Sequence, residues 1–312
     1  MNILITGAAG FIGSHTAERF HKLGYKVIGI DNFSPYYDIN LKRINAEILI
    51  EKGIKILELD IRSSNLKDEL PIEINYIIHF SSHPGISDTS TFEDYLTNNI
   101  IATQNLLNWS LSLKNKPYFI NIATSSIYGL EATLTEDQAP LPASWYGVTK
   151  LAAEQLVFSY IRKNEIRGTS LRLYSVYGPR ERPDKLYTKL LDCGINNKEF
   201  PLFEGSEKHL RSYTYVQDII DGIISVIGKE ELCNGEIFNL GTEEENTTAK
   251  GIQIVEELLG MKIKKKFLPP RQGDQLRTKA NINKARKILN YNPTTKLRDG
   301  LQAQLNWYKE SF

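Results

Sequence analysis

Along the first half of the chain, hydrophobic and polar positions switch between two periods. Short runs rich in Ile, Val, Leu and Tyr ("NILIT", "YKVIGI", "GIKILEL", "NYIIHF", "YFINIAT", "GTSLRLY") read as buried strands. Between them, "IGSHTAERFHKLG", "LKRINAEILIEKG", "YLTNNIIATQNLLNWSL" and "WYGVTKLAAEQLVFSYIRKN" carry the wider spacing of amphipathic helices. Strand–helix alternation of this kind predicts an α/β fold, a doubly wound parallel sheet with helices on both faces. After "LRLYSVYGPRERPDK" the pattern loosens. Helical "YVQDIIDGIISVIGKE" and "NTTAKGIQIVEELLG" surround one strand-like "GEIFNLG" there, which suggests a smaller, discontinuous second portion.

Composition changes this picture little. The 312 residues suffice for one large domain or two modest ones, and 38 Lys and Arg against 37 Asp and Glu leave a formal charge of +1. That balance gives no support for binding nucleic acid or a membrane surface. Cys193 and Cys233 have no metal-ligand spacing, so no metal site is expected and a reducing, cytoplasmic setting is. "MNILITGAAG" lacks the charge and apolar stretch of a leader, and no run is long enough to span a membrane.

Candidate chemistry begins at the first strand–helix junction. In "NILITGAAGFIGSH" the glycines Gly7, Gly10 and Gly13 recur every third residue. Glycines let the backbone approach a pyrophosphate, and the free N–H groups of a helix start favour its charge. Asp31 ends the second predicted strand, 18 residues past Gly13, where an acid would bond an adenosine ribose and repel a 2′-phosphate. NAD is therefore expected over NADP. Asp60, closing "ILELDI", has an adenine contact as its first reading, with a plain strand-end turn close behind.

A second constellation lies in "SWYGVTKLAAEQL". Tyr146 and Lys150, four apart at a helix start, project from one face. A free phenol with a pKa near 10 is a poor base, but an adjacent ammonium and a positive nicotinamide would stabilise its phenolate.

With these pieces in place, the chain resembles an extended short-chain dehydrogenase/reductase of the nucleotide-sugar epimerase/dehydratase family. The likeness runs nearly end to end, through "TGAAGFIGSH", "YGVTKLAAE", "LRLYSVYGPRERPD", "RSYTYVQD", "NLGT" and "RQGD". It implies a permanently held NAD, a nucleotide diphosphate sugar oxidised at C4, and a homodimer paired through helices. It also implies an NAD-binding domain of residues 1–173 with about 212–241, and a sugar-nucleotide domain of 174–211 and 242–312. Phe11, Ile12, Asn32 and Ile61 join the glycines and the two acids around the cofactor, and Asn99 orders backbone beside it. Thr124 falls at the third catalytic hydroxyl, Ser175 on the sugar, Phe203 against uracil, and Arg211 and Arg271 on the diphosphate. Three positions depart from the family pattern: Ser212 and Asn281 replace Asp, and Ser87 replaces Arg.

One short stretch separates the reactions this family runs. Dehydratases carry Asp-Glu immediately after the catalytic Thr, and decarboxylating relatives carry a Glu in the segment. Here "ATSSIYG" offers Ser125 and Ser126, which cannot act as general acid and base at neutral pH. Epimerisation at C4 is what remains. "DNFSPYYDINLKR" and "GPRERPD" resemble UDP-glucuronate 4-epimerases, so the expected reaction is UDP-glucuronate to UDP-galacturonate through a 4-keto intermediate. Thr124, Ser125, Ser126 and Ser175 would hold the uronate carboxylate, with Arg182 closing over it. The small Thr278 keeps UDP-glucose or UDP-N-acetylglucosamine epimerisation as the alternative, ahead of a dehydratase, a decarboxylase, a net oxidoreductase or a non-catalytic NAD-binding regulator.

Overall fold

The computed structural model describes residues 1–64, 66–87, 89–270 and 274–312. Seven parallel strands form the central sheet: β1 (Asn2–Thr6), β2 (Lys26–Asp31), β3 (Lys55–Glu58), β4 (Tyr76–His79), β5 (Tyr118–Thr124), β6 (Arg167–Leu173) and β7 (Ile237–Leu240). Their order is β7-β6-β5-β4-β1-β2-β3, which reverses direction between β1 and β4. Ligands of doubly wound sheets bind at such a switch point, beyond the carboxyl ends of the strands. Register aligns those ends: Thr6 lies opposite Ile30 and His79, and Thr124 opposite Leu173.

Alternation along each strand sends neighbours to opposite faces. Ile3, Ile5 and Ile78 pack with Phe20 and Leu49 on one side. Leu4, Ile28, Ile30 and Ile77 pack with Leu106, Val157 and Phe158 on the other. Those partners identify the flanking layers. Helices α1 (Phe11–Lys22) and α2 (Ile39–Glu51) cover the first face, and α3 (Ala102–Ser112) and α4 (Trp145–Arg162) the second.

The helix leading into α3 carries a π segment, Leu96–Ile101, which widens one turn beside the strand ends. A separate core of Tyr177, Tyr187, Leu190, Ile252, Val255, Leu301 and Leu305 organises the later residues. Its short strands Leu210–Arg211 and Arg277–Thr278 pair with each other, and the latter pairs in turn with Glu131–Ala132. That pairing lays the later part of the chain across the segment that follows β5.

Candidate active site

The glycine turn has the shape the spacing predicts. Gly7 has a φ of +69°, and a Cβ on Gly13 would lie 2.1 Å from the Gly7 carbonyl oxygen, so only glycine fits there. Gly10 precedes α1 with no side-chain cap, which leaves the first N–H groups of the helix turned toward the cradle. This is a fitting seat for a pyrophosphate. Phe11 and Ile12 form the first turn of α1, half-buried.

Asp31 is buried at the end of β2 and accepts hydrogen bonds from the Ala9 N–H (3.1 Å) and the Phe33 N–H (2.9 Å). It thereby ties the glycine turn to the following loop. Each carboxylate oxygen keeps a lone pair for a ribose hydroxyl. Lys42 brings its ammonium to 3.8 Å from this carboxylate; burial holds its pKa below the ordinary value, against the pull of Asp31. That lysine lies in the "DNFSPYYDINLKR" stretch but was not singled out as a site residue.

Asn32 donates to Asp60 at 3.1 Å, and Arg62 grips the same carboxylate through Nε and Nη2. Burial pushes the Asp60 pKa up, but those hydrogen bonds outweigh it and hold it at about 2. The Asp60 carboxylate also accepts from the Arg62 N–H at 2.8 Å, and Ile61 is buried. Asn99 is buried in the π segment; its oxygen accepts from the His83 N–H (2.7 Å) and its amide donates to Thr149 (2.9 Å). It thereby ties the loop after β4 to α4.

The dyad sits at the start of α4. Ser144 caps the helix by accepting from the Gly147 N–H at 3.1 Å. A Cβ on Gly147 would come within 2.6 Å of the Ser126 carbonyl, so this glycine allows the helix start to pack directly on the serine turn. The Tyr146 phenol is thereby brought to Thr124. Burial raises its pKa, opposed by hydrogen bonds from the Thr124 hydroxyl and the Gly85 backbone and by the charge of Arg182.

Lys150 is buried and donates to the Ile122 carbonyl at 2.7 Å, on the strand that ends at Thr124. Burial lowers its pKa to about 8, with Glu154 pulling the other way. Its two remaining N–H donors are the ones available to a ribose. Beneath it His79, held near 3 by burial and by the Lys150 charge, stays neutral between Thr6 and Thr103.

Behind the dyad, Arg172 on β6 forms a buried bidentate pair with Glu154 on α4, at 2.7 and 3.1 Å. The same guanidinium donates to Tyr128, whose hydroxyl donates to Asn239 on β7. Helix, serine turn and two strands are thus fixed by one polar network.

The three hydroxyls follow β5 directly. Thr124 caps a 3₁₀ turn, Ser125–Tyr128, by accepting from the Ser126 N–H at 3.2 Å, and it lies 3.3 Å from the Ser126 hydroxyl. The Ser125 and Ser175 hydroxyls make no hydrogen bond among the described residues. Arg182 is buried, with its fork on Asp184 (3.1 and 3.0 Å) and its guanidinium over the Tyr36 ring at 5.3 Å. Its Nη2 would be 3.3 Å from a Cβ on Gly85, next to the peptide that reaches the phenol.

The remaining expected residues lie on the later elements. Phe203 is half-buried on a strand paired with Lys265–Leu268. Arg211 donates to the Leu210 and Gln275 carbonyls. Arg271 lies outside the described residues. Ser212 and Thr278 are buried against each other, the Ser212 N–H donating to the Thr278 hydroxyl at 3.1 Å, and Ser87 shares a turn with Thr89. Gly85, Tyr95 and Gln275 border the site without having been anticipated. Gly85, a lone glycine in the loop after β4, carried the one readable signal.

Comparison with known proteins supports this geometry. Residues 3–241 match the NAD dependent epimerase/dehydratase family. The chain is 33% identical to UDP-glucuronate 4-epimerase 5 of Arabidopsis thaliana, covering 99% of this chain and 75% of the relative. It is 35% identical to an uncharacterized UDP-glucose epimerase of Bacillus subtilis, covering 100% and 99% of the two chains. A crystal structure of UDP-glucuronic acid 4-epimerase from Bacillus cereus, in complex with UDP-glucuronic acid and NAD, superposes with a TM-score of 0.94, at 36% identity and full coverage of both chains. The family match over residues 3–241 and these likenesses across the full chain make it a member of the NAD-dependent epimerase/dehydratase family.

Proposed function

We propose that the protein interconverts UDP-glucuronate and UDP-galacturonate at C4. The observation that carries this reading is the hydroxyl turn of Thr124, Ser125 and Ser126, which sits against the Tyr146 phenol and contains no carboxylate. Bound NAD would supply the acceptor and donor of the C4 hydride, and its positive ring would favour the phenolate.

Tyr146 Oη removes the C4 hydroxyl proton, and the Thr124 hydroxyl bonds the same oxygen as it becomes a ketone. Lys150 holds the cofactor ribose and lends its charge. The ketone turns within the site and is reduced on its other face, and Tyr146 returns the proton. With neutral hydroxyls in place of an acid–base pair, water is not expelled.

A 4-keto uronate is a β-keto acid that can lose carbon dioxide. Ser125, Ser126 and Ser175 hold its carboxylate so that the breaking bond lies out of line with the ketone π system, and Arg182 covers it. Arg211 and Arg271 take the diphosphate, and Phe203 the uracil. We assign NAD binding to residues 1–173 with about 212–241, since the helix Val216–Ile224 and β7 complete the sheet layers, and sugar-nucleotide binding to the rest. We also infer a homodimer in the cytoplasm. Phe92, Ile101, Trp145 and Val148 expose apolar surface on adjacent helices, and both cysteines are free thiols.

The test is separate incubation with UDP-glucuronate, UDP-glucose and UDP-N-acetylglucosamine, with C4 epimers resolved by NMR. UDP-glucuronate should yield UDP-galacturonate without added NAD, and reaction with UDP-glucose alone would overturn the assignment. Tyr146→Phe should lower kcat by about 10²-fold or more while bound NAD is retained.

A further inference from the structure

We propose that Gln275 is a positioning residue that clamps the serine turn to the segment gripping Arg211, and so limits loss of carbon dioxide from the 4-keto uronate. This rests on the epimerase reading above. The Gln275 side-chain amide donates to the Gly129 carbonyl at 2.9 Å and the Ser125 carbonyl at 3.4 Å. Those carbonyls stand at the two ends of the Ser125–Tyr128 turn, so one NH₂ group spans it. The main-chain oxygen of the same residue accepts from Arg211.

The clamp is itself held from behind. Leu276 N–H donates to the Leu130 carbonyl at 2.9 Å, and Arg277–Thr278 pairs with Glu131–Ala132. Gln275 therefore starts from a fixed backbone, and its half-buried side chain is the adjustable part. One residue joins the arginine proposed for the diphosphate to the hydroxyls proposed for the carboxylate, the two anionic ends of the substrate.

The chemical consequence concerns a torsion. For decarboxylation the C5–C6 bond breaks, its electron pair enters the C4 ketone as an enolate, carbon dioxide leaves, and a proton adds at C5. The bond must first swing into line with the ketone π system. A turn held at both ends resists that swing through its hydroxyls, and a turn released on one side does not.

Gln275→Met keeps the length of the side chain and removes its N–H donors, while Gln275→Asn keeps the amide and shortens its reach. With holoenzyme and UDP-glucuronate, the ratio of decarboxylated product to UDP-galacturonate should rise about tenfold in Gln275→Met, the effect of one hydrogen bond of ordinary strength. Gln275→Asn should give a smaller rise. Affinity for UDP should stay within about twofold in both, because the oxygen that binds Arg211 belongs to the main chain. A product ratio equal to wild type in both variants would overturn the clamp, as would a rise accompanied by a matching loss of UDP affinity. Wild-type protein inert toward UDP-glucuronate would overturn the epimerase reading itself, and the clamp with it.

Discussion

Single residues at this site work by where they let the backbone go. Gly13 is the sharpest case, since any side chain there meets the carbonyl of Gly7. Gly13→Ala should cost about 1–3 kcal/mol through forced backbone shift. It should also strip NAD from the purified protein, read as cofactor content and as thermal midpoint. Unchanged cofactor content would mean that the turn does not cradle the pyrophosphate. Tyr146 shows a second kind of control. Thr124, Gly85 and Arg182 all favour its ionised form, yet burial dominates and keeps the phenol protonated in the free protein. These residues were legible in the sequence because glycine spacing and a Tyr-Lys pair are local patterns. Gln275 was not, because nothing near it in the chain reports what it faces, and Gly85 offered only its being a glycine in a loop.

Elements carry the polar interior that holds the site in shape. The loop and helix after β6 bury Glu181, whose Oε2 accepts from the Thr188 N–H and hydroxyl and from Gln304. Burial lifts its pKa to about 7, opposed by those donors and by the charge of Lys185. The folded protein therefore keeps a proton that the unfolded chain releases near the ordinary carboxyl value of 4.5. The stability this contributes is fully present below about 4.5 and is lost as pH rises to about 7. Its size is on the order of 3 kcal/mol at most. Glu181→Gln keeps Oε as the shared acceptor and cannot titrate. Chemical denaturation between pH 4.5 and 8 should show a flatter stability profile than wild type, and an identical slope would place the titrating group elsewhere. The helix after β4 teaches a related point. Its periodicity predicts a plain α-helix, and the structure inserts the π turn Leu96–Ile101, which brings Asn99 inward to His83 and Thr149. The hydrogen bonds that favour that turn come from other elements, so no local rule anticipates it.

At the scale of the whole molecule, the two helices at the site leave an apolar face exposed on a lone chain. Phe92 packs edge-to-face on Trp145 with centroids 6.1 Å apart, yet both remain exposed, at 43% and 55%. The proposed homodimer would bury them beside the first turn of α4, and so steady Tyr146. A Trp145→Glu, Val148→Glu double variant should sediment as a monomer and lose part of its activity. A variant that stays dimeric would move the interface to another surface.

The sequence by itself determined the doubly wound class, the glycine cradle with its acid, and the Tyr-Lys pair on one helix face. Each of these is written in neighbours within a few residues, through strand alternation, helical spacing or a contiguous turn. Only the tertiary structure decided the strand order, the seating of Arg182 over the Tyr36 ring, and the bond from Gln275 to Gly129, 146 residues away in the chain. Such contacts depend on which surfaces are buried together once the sheet has formed, and local periodicity carries no record of that.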